Sequence, residues 1–124
     1  MNNILLIEDN NSAREDIASL LITEGYNVSK TDSGINAIKQ FKKQLPDLVI
    51  CEIIMPGMNA YNVYKNMAAS LYANQIPFIY FTAKSGIACA QKIKVIKIKN
   101  FRCTLPTDCC LVDYVASCLI KRQS

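Results

Sequence analysis

Acidic side chains stand where two apolar runs of this sequence stop. The run 4–7 is followed by Glu8 and Asp9. The run 48–51, which lies between two prolines and is rich in β-branched residues, is followed by Glu52. Such a run is typical of a central parallel strand covered on both faces, and open α/β sheets place their chemistry at the carboxyl ends of these strands. We therefore expect Glu8, Asp9 and Glu52 to lie at a functional edge of a sheet.

Segments of strand type and helix type alternate along the chain and would position these acids. Short apolar runs predict strands at 4–7, 26–30, 48–52, 78–81 and 101–105. Apolar spacings of three and four predict helices that begin near residues 12 and 33, cover 60–73 and 87–96, and follow a cap at Thr107 or Asp108. This alternation implies right-handed crossovers onto one parallel sheet. The prediction is an α/β fold with three αβα layers, in a single domain covering residues 1–124.

The first helix carries a specific start signal. Ser12 and Glu15 have the spacing of a capping box, in which the hydroxyl accepts from the third amide and the glutamate accepts from the cap amide. Gly25 stands where a left-handed residue would end the same helix. We therefore expect this helix to begin at Ser12.

Composition limits the function classes. The chain has 124 residues, 51% of them hydrophobic, which is enough for one buried core. Its net charge of +4 comes from lysines and arginines in short scattered groups, which favours solvated helix faces over a nucleic-acid surface. No apolar run approaches the roughly 18 residues of a membrane span, and no leader pattern precedes the first run. We expect a cytoplasmic domain that binds neither nucleic acid nor a membrane.

The cysteines favour packing over chemistry. There are six cysteines without a C-x-x-C pair, and there is no histidine, so the usual zinc spacings are missing. Reduced cysteines that pack as small apolar residues explain this pattern. A cysteine-based sensor is the alternative, because four of them cluster near the last predicted strand and helix: Cys103, Cys109, Cys110 and Cys118.

Four features, taken in order over the whole chain, resemble the receiver domain of bacterial two-component response regulators. They are Glu8-Asp9 after the first strand, the turn 55–58 (Met-Pro-Gly-Met) after the third, Thr82-Ala83 after the fourth and Pro106 after the fifth. The resemblance implies a flavodoxin-like fold whose five parallel strands have the order 2-1-3-4-5, flanked by five helices.

The resemblance also implies a mechanism. In this family an aspartate at the end of the third strand takes a phosphoryl group from a histidine kinase, with Mg²⁺ held by that aspartate, the acid pair and a backbone carbonyl. A hydroxyl after the fourth strand and a lysine after the fifth bind the phosphoryl oxygens. Matched by motif, the phosphoacceptor position is Glu52, the other metal ligands are Glu8, Asp9 and the carbonyl of Ile54, and the hydroxyl is that of Thr82.

Three positions depart from the family pattern. Glu52 replaces the aspartate, which moves the carboxylate outward by one methylene in a reaction that depends on placement. Leu105 replaces the lysine, so a fixed cation is lost beside several carboxylates. Arg102 stands where the family has an aromatic switch residue, and a guanidinium is too costly to bury unpaired. Without the lysine the acids should repel one another unless Mg²⁺ enters, or unless Arg102 or Lys84 supplies the charge.

These departures favour a pseudo-receiver, a protein-interaction module of phosphorelay signalling and not an enzyme. The alternative is a phosphoacceptor with altered chemistry that still takes a phosphoryl group from a histidine kinase. If the domain is a pseudo-receiver, Glu52 is either a built-in mimic of the phosphorylated state or a tolerated substitution without a role of its own. Binding of Mg²⁺ stays open, since the oxygen ligands survive but the ion needs near-octahedral geometry.

The expected partner is a histidine kinase or a signalling effector. A homodimer would use the face made by the fourth predicted helix, the fifth strand and the last helix. That last helix has an apolar stripe, and it also carries further apolar residues that suggest an interface: Cys109, Cys110, Tyr114 and Cys118. The alternative is that this helix packs more deeply than usual.

Overall fold

The computed structural model of the protein describes residues 2–82, 93–101, 103, 105 and 110–123. Its strands are β1 (Asn3–Ile7), β2 (Asn27–Thr31), β3 (Leu48–Glu52), β4 (Phe78–Thr82) and β5 (Lys94–Lys99). Its helices within these residues are α1 (Asn11–Thr23), α2 (Gly34–Lys43), α3 (Ala60–Ala73) and α4 (Leu111–Gln123). Among the described residues, no helix is long and apolar enough to cross a bilayer.

The strands form one sheet with the order β2-β1-β3-β4-β5. The first four strands run parallel, with Ile7 opposite Cys51 and Glu52 opposite Phe81 in the register. The fifth strand is antiparallel to β4. The predicted flavodoxin-like class and the strand order are confirmed, and the predicted parallel direction is wrong for the fifth strand.

Two apolar layers cover the sheet. One face packs against α1 and α4, and the other packs against α2 and α3. Alternate residues of each strand point to opposite faces, so Leu6 joins the first layer and Leu5 the second. All five residues of β3 are buried, as expected for a central strand covered on both sides. This double cover holds the carboxyl end of β3 in place.

The first helix starts earlier than the capping box predicted. Asn10 is the N-cap, and its side chain accepts a hydrogen bond of 2.9 Å from the Ala13 amide. Ser12 therefore lies inside the helix, and the capping-box prediction is wrong. Asn is as good a cap as Ser, since its side-chain oxygen also satisfies a free amide of the first turn. Gly25 has φ +96°, so the predicted left-handed position after this helix is confirmed.

The C-terminal third differs most from the prediction. The strand predicted at 101–105 is wrong, because Phe101, Cys103 and Leu105 lie outside any strand. The helix predicted at 87–96 is wrong from residue 93 onward, since Lys94–Lys99 is a strand, and its earlier part lies outside the described residues. A β-bulge between Tyr80 and Phe81 shifts the register of this strand pair.

Gly34 begins α2 at a point of close contact with α3. A Cβ atom at this position would stand 2.7 Å from Val63 Cγ2 and 3.1 Å from Met58 Sδ. Val63 is fully buried and its β-branched side chain has one strongly preferred rotamer in a helix, so it cannot move aside easily. The missing side chain at Gly34 allows the two helices to approach.

We expect Gly34→Ala to lower the free energy of unfolding by about 1–3 kcal/mol, although alanine is the better helix former, because the added methyl overpacks this contact. Urea denaturation measures the difference. The control is Ile35→Ala at the next residue of the helix. It removes atoms from a side chain that is 57% exposed and should change stability by less than about 0.5 kcal/mol. A G34A variant as stable as the parent would show that the helices can separate.

Candidate functional site

The parallel register brings Glu8 and Glu52 to the same edge of the sheet. Each follows a residue of the paired positions Ile7 and Cys51, at the carboxyl ends of β1 and β3. Both carboxylates are fully buried, with 0% exposure. Burying a carboxylate is costly unless protein donors replace the lost water. The groups around these acids therefore decide what the site can do.

Glu52 has a protein donor in Thr82. The Thr82 hydroxyl donates to Glu52 Oε1 at 3.3 Å. The backbone holds this pair together, because the Ile53 amide donates to the Phe81 carbonyl at 2.8 Å and ties β3 to β4 at the same level. The strand ends thus aim the hydroxyl at the carboxylate, and the two predicted site residues Glu52 and Thr82 meet.

The loop after β1 folds around Glu8. The Asn10 amide donates to Glu8 Oε1 at 3.0 Å. The Arg14 guanidinium, from the first turns of α1, donates to the Glu8 carbonyl at 2.8 Å and to the Asp9 carbonyl at 3.4 Å. Arg14 also bonds the Asn11 side chain. A basic group is therefore present at the acid loop, and it arrives from the helix that follows the loop.

Sequence reasoning missed Arg14 and looked for this charge elsewhere. Its position one turn into the helix that follows the acids places a basic residue near them, but this spacing does not show that the side chain turns back to the loop. The two substitutes named from the sequence, Lys84 and Arg102, lie outside the described residues.

Comparison with known proteins identifies the family. The family model described as the response regulator receiver domain matches residues 4–101. The chain belongs to this family. Receiver domains are signalling modules of two-component systems, and the protein is one of them.

Its curated relatives include longer proteins. The receiver domain is 29% identical over 85 residues to the transcriptional regulatory protein AfsQ1 of Streptomyces coelicolor, covering 68% of this chain and 36% of that protein. It is 33% identical over 85 residues to the response regulator SaeR of Staphylococcus aureus, again covering 68% and 36%. The chain thus spans little more than a third of the length of these relatives.

Solved structures agree on the fold. The response regulator TrrA of Thermotoga maritima, solved in complex with Mg²⁺ and BeF, has a TM-score of 0.62 and 32% identity, covering 68% of this chain and 72% of that chain. The receiver domain of the hybrid histidine kinase CckA has a TM-score of 0.58 and 29% identity, with coverage of 63% and 72%.

The donor set of this receiver domain does not fit a divalent cation well. Among the described residues, no three Asp, Glu, Cys or His side chains form a group that could hold a metal ion. Glu8 and Glu52 each give an oxygen to a protein donor, Asp9 is half-buried, and the side chain of Ile54 is 58% exposed. The near-octahedral shell of Mg²⁺ would require these groups to rearrange.

Of the two remaining family positions, the structure describes only Leu105. Leu105 is half-buried outside any strand, and Arg102 lies outside the described residues. The antiparallel direction of β5 places Lys94 opposite Thr82 in the register. Because β5 is reversed, its first residues lie at the edge of the sheet formed by the carboxyl ends of the other strands. A parallel fifth strand would place its last residues there.

The described cysteines are consistent with packing. Cys51 is buried, and its thiol donates to the Glu52 carbonyl at 3.5 Å. Burial, followed by the charges of Glu52 and Glu8, raises the pKa of the Cys51 thiol. Burial, with a smaller effect of Cys103, raises the pKa of Cys118 to about 12. Both thiols stay protonated and unreactive at neutral pH.

The predicted interface on the last helix needs correction. Tyr114 and Cys118 are buried, with 5% and 0% exposure, so they belong to the core of the domain. Cys110 is half-buried, and Cys109 lies outside the described residues. The alternative of deeper packing therefore accounts for Tyr114 and Cys118, which are not available to a partner.

Replacing Thr82 with valine tests the contact with Glu52. The change keeps the side-chain shape but removes the donor to a buried carboxylate, so we expect the free energy of unfolding to fall by about 1–3 kcal/mol. Thr23→Val is the matched control, because the Thr23 hydroxyl donates to the Ser19 carbonyl on an exposed helix face. We expect that control to change stability by less than about 0.5 kcal/mol. Equal losses in urea denaturation would contradict the assignment.

Alkylation tests the cysteine environments. We expect iodoacetamide at neutral pH to leave Cys51 and Cys118 unmodified in the native protein, because their raised pKa values suppress the thiolate. The half-buried Cys103 and Cys110 should react first. Peptide mapping by mass spectrometry reads each site, and a sample in urea shows full labelling. Rapid native labelling of Cys51 would contradict the expected burial.

Proposed function

We propose that this receiver domain is a pseudo-receiver, in which the Glu52 carboxylate occupies the role of a phosphorylated acceptor by binding the Thr82 hydroxyl. In the family pattern, a phosphoryl group on the acceptor draws this hydroxyl toward it. Here Glu52 Oε1 already accepts from Thr82 at 3.3 Å. This bond is the observation that carries the proposal.

Burial supports the loss of phosphoryl transfer. A nucleophilic carboxylate must meet the phosphorus in line, with its oxygen free to approach. Glu52 has 0% exposure and one of its oxygens is engaged by Thr82. Exposing it for attack would break that bond and open the strand edge. The proposed role is therefore a permanent conformation and not a switch.

The surroundings support the same reading. A phosphoryl group adds negative charge, which the family lysine neutralises, and Leu105 in its place has no charge. Among the described side chains no metal-holding group is assembled, so we propose that Mg²⁺ binding is weak or lost. Arg14 instead donates to the carbonyls of the acid loop.

As a signalling module, the domain would act by binding another protein in the cytoplasm. We propose that a histidine kinase or a downstream effector recognises the fixed conformation. A homodimer through the face of β5 and α4 would have to use side chains that stay exposed there, such as Ile96 at 45% and Ile120 at 68%, and not Tyr114 or Cys118.

Beryllofluoride with Mg²⁺ tests the proposal directly. We expect no bound beryllofluoride by native mass spectrometry and no shift of the Thr82 amide by NMR, since the acceptor position is already occupied. TrrA, solved with this group bound, is the positive control. Acetyl phosphate followed by intact-mass measurement gives a second reading.

Glu52→Asp is the matched variant, because it restores the family acceptor and shortens the side chain by one methylene while keeping a carboxylate. We expect E52D also to remain unmodified, because Leu105 supplies no cation. If E52D were modified and the parent protein were not, the longer side chain of Glu52 would be the cause of the lost phosphorylation. Stoichiometric phosphorylation of Glu52 in the parent protein would overturn the proposal in favour of an altered phosphoacceptor.

A further inference from the structure

A groove of about 360 Å³ lies between the β4–β5 edge and the start of α3, on the sheet face that α3 covers. Its described lining includes Ile53, Asn59, Tyr61, Tyr80, Lys97 and Lys99. This volume is within the range of clefts that hold small molecules, roughly 300–1,000 Å³. None of the acids of the Glu8–Glu52 edge belongs to this described lining, so the groove is a separate feature.

Tyr80 lines the groove and carries a buried hydroxyl. Its side chain is 6% exposed, and among the described residues its hydroxyl has no hydrogen-bond partner. Burial, followed by the effects of Cys51, Tyr64 and Tyr61, raises the pKa of Tyr80 to about 12. The hydroxyl is therefore protonated at neutral pH. A buried donor left unpaired is unfavourable, and a ligand atom that accepts from it would remove this penalty.

Positive charges surround the same groove. The β4–β5 register places Lys97 opposite Tyr80 and Lys99 opposite Phe78 on one face of the sheet. Lys97 and Lys99 are two residues apart on β5 and therefore share a face of the sheet, and hydrogen bonding with Lys97 and its charge lower the pKa of Lys99. Lys99 Nζ also lies 5.5 Å from the Tyr64 ring centre. An anion between the two ammonium groups would relieve their repulsion.

Apolar surface is available beside these charges. Tyr61 is 60% exposed, Ile53 is 37% exposed, and Lys65 Nζ lies 5.5 Å from the Tyr61 ring centre. The start of α3 also faces the groove through Asn59, and the positive end of a helix dipole favours negative charge. Tyrosine rings, two lysines and Tyr80, whose hydroxyl has no hydrogen-bond partner among the described residues, therefore line one concave surface.

We propose that this groove binds a small organic anion, with a flat apolar body against Tyr61 and Ile53 and a negatively charged group at Lys97 and Lys99. An oxygen of the anion accepts from the Tyr80 hydroxyl. Ile53 directly follows Glu52, and Tyr80 precedes Thr82 by two residues, so the ligand contacts both strands that hold the Glu52–Thr82 pair. The groove thus gives small molecules access to the strands of the acidic edge.

Two probes with the same naphthalene ring, one charged and one neutral, test the charge requirement. Naphthalenesulfonate and the neutral naphthalenemethanol are titrated into the full chain, and amide chemical shifts are followed by NMR. We expect saturable shifts of Ile53, Tyr61 and Tyr80 with the sulfonate, and about tenfold weaker binding of the neutral probe. Equal binding of the two probes, or shifts spread over the whole domain, would overturn the proposal.

Matched variants locate the site. Lys97→Gln with Lys99→Gln should weaken sulfonate binding about fivefold or more, because two charge contacts are lost. Lys39→Gln with Lys42→Gln removes the same charge from exposed positions of α2 and should change binding by less than about twofold. If both pairs of substitutions weakened sulfonate binding equally, the net charge of the protein would explain the effect, and the proposed site would be contradicted.

Tyr80→Phe separates binding from folding. Removing a buried hydroxyl that has no hydrogen-bond partner among the described residues should leave the melting temperature unchanged or higher, while sulfonate affinity falls about threefold or more. A lower melting temperature together with unchanged affinity would show that the hydroxyl serves the fold alone, and the proposed role of Tyr80 in binding would be wrong.

Discussion

The burial of two carboxylates, those of Glu8 and Glu52, is the constraint on which this domain depends. Glu8 follows β1 and Glu52 is the last residue of β3. The side chains of these strands fill both apolar layers, and neither acid retains any exposure. A buried charge is tolerated only where donors surround it. The Asn10 amide donates to Glu8 Oε1 and the Thr82 hydroxyl donates to Glu52 Oε1, so the loop after β1 and the end of β4 each supply a donor to one of the two acids.

This arrangement changes what the receiver edge can do. A receiver that exchanges phosphoryl groups needs an accessible carboxylate, a cation and a hydroxyl that moves. Here the carboxylate is enclosed, and the hydroxyl is bonded to it, while Arg14 binds the carbonyls of the acid loop. In the proposed pseudo-receiver, the Glu52–Thr82 contact therefore stabilises one state. On that proposal the domain transmits information through what it binds, and the proposed ligand groove beside Tyr80 would be a second binding site that contacts these strands.

The sequence predicted most of the fold, and the failures have physical causes. The strands β1, β3 and β4 were predictable because their apolar runs are continuous and are each bounded on at least one side by an acid or a proline. The run 93–99 alternates isoleucine or valine with lysine at spacings that suit both helix and strand, and only pairing with β4 decides between them. The short run 101–105 before Pro106 was then predicted as the fifth strand, which placed that strand too late in the chain.

Part of the site was also predictable. Strand ends located Glu8, Glu52 and Thr82, since the carboxyl ends of parallel strands meet at one edge. The complete burial of Glu8 and Glu52 was not predictable, because it depends on the conformation of the loops that follow β1 and β3. The reach of Arg14 back to the acid loop depends on side-chain direction, which the spacing of residues alone does not report.

A double-mutant cycle on Glu52→Leu and Thr82→Val tests the central claim most directly, because it isolates the interaction between the two side chains from the cost of each truncation. Unfolding free energies of the parent, both single variants and the double variant are measured in urea. The account predicts a favourable coupling energy of about 1–2 kcal/mol, as for a hydrogen bond to a charged group. Additivity within about 0.3 kcal/mol would contradict it, since Glu52 would then not hold Thr82 at all.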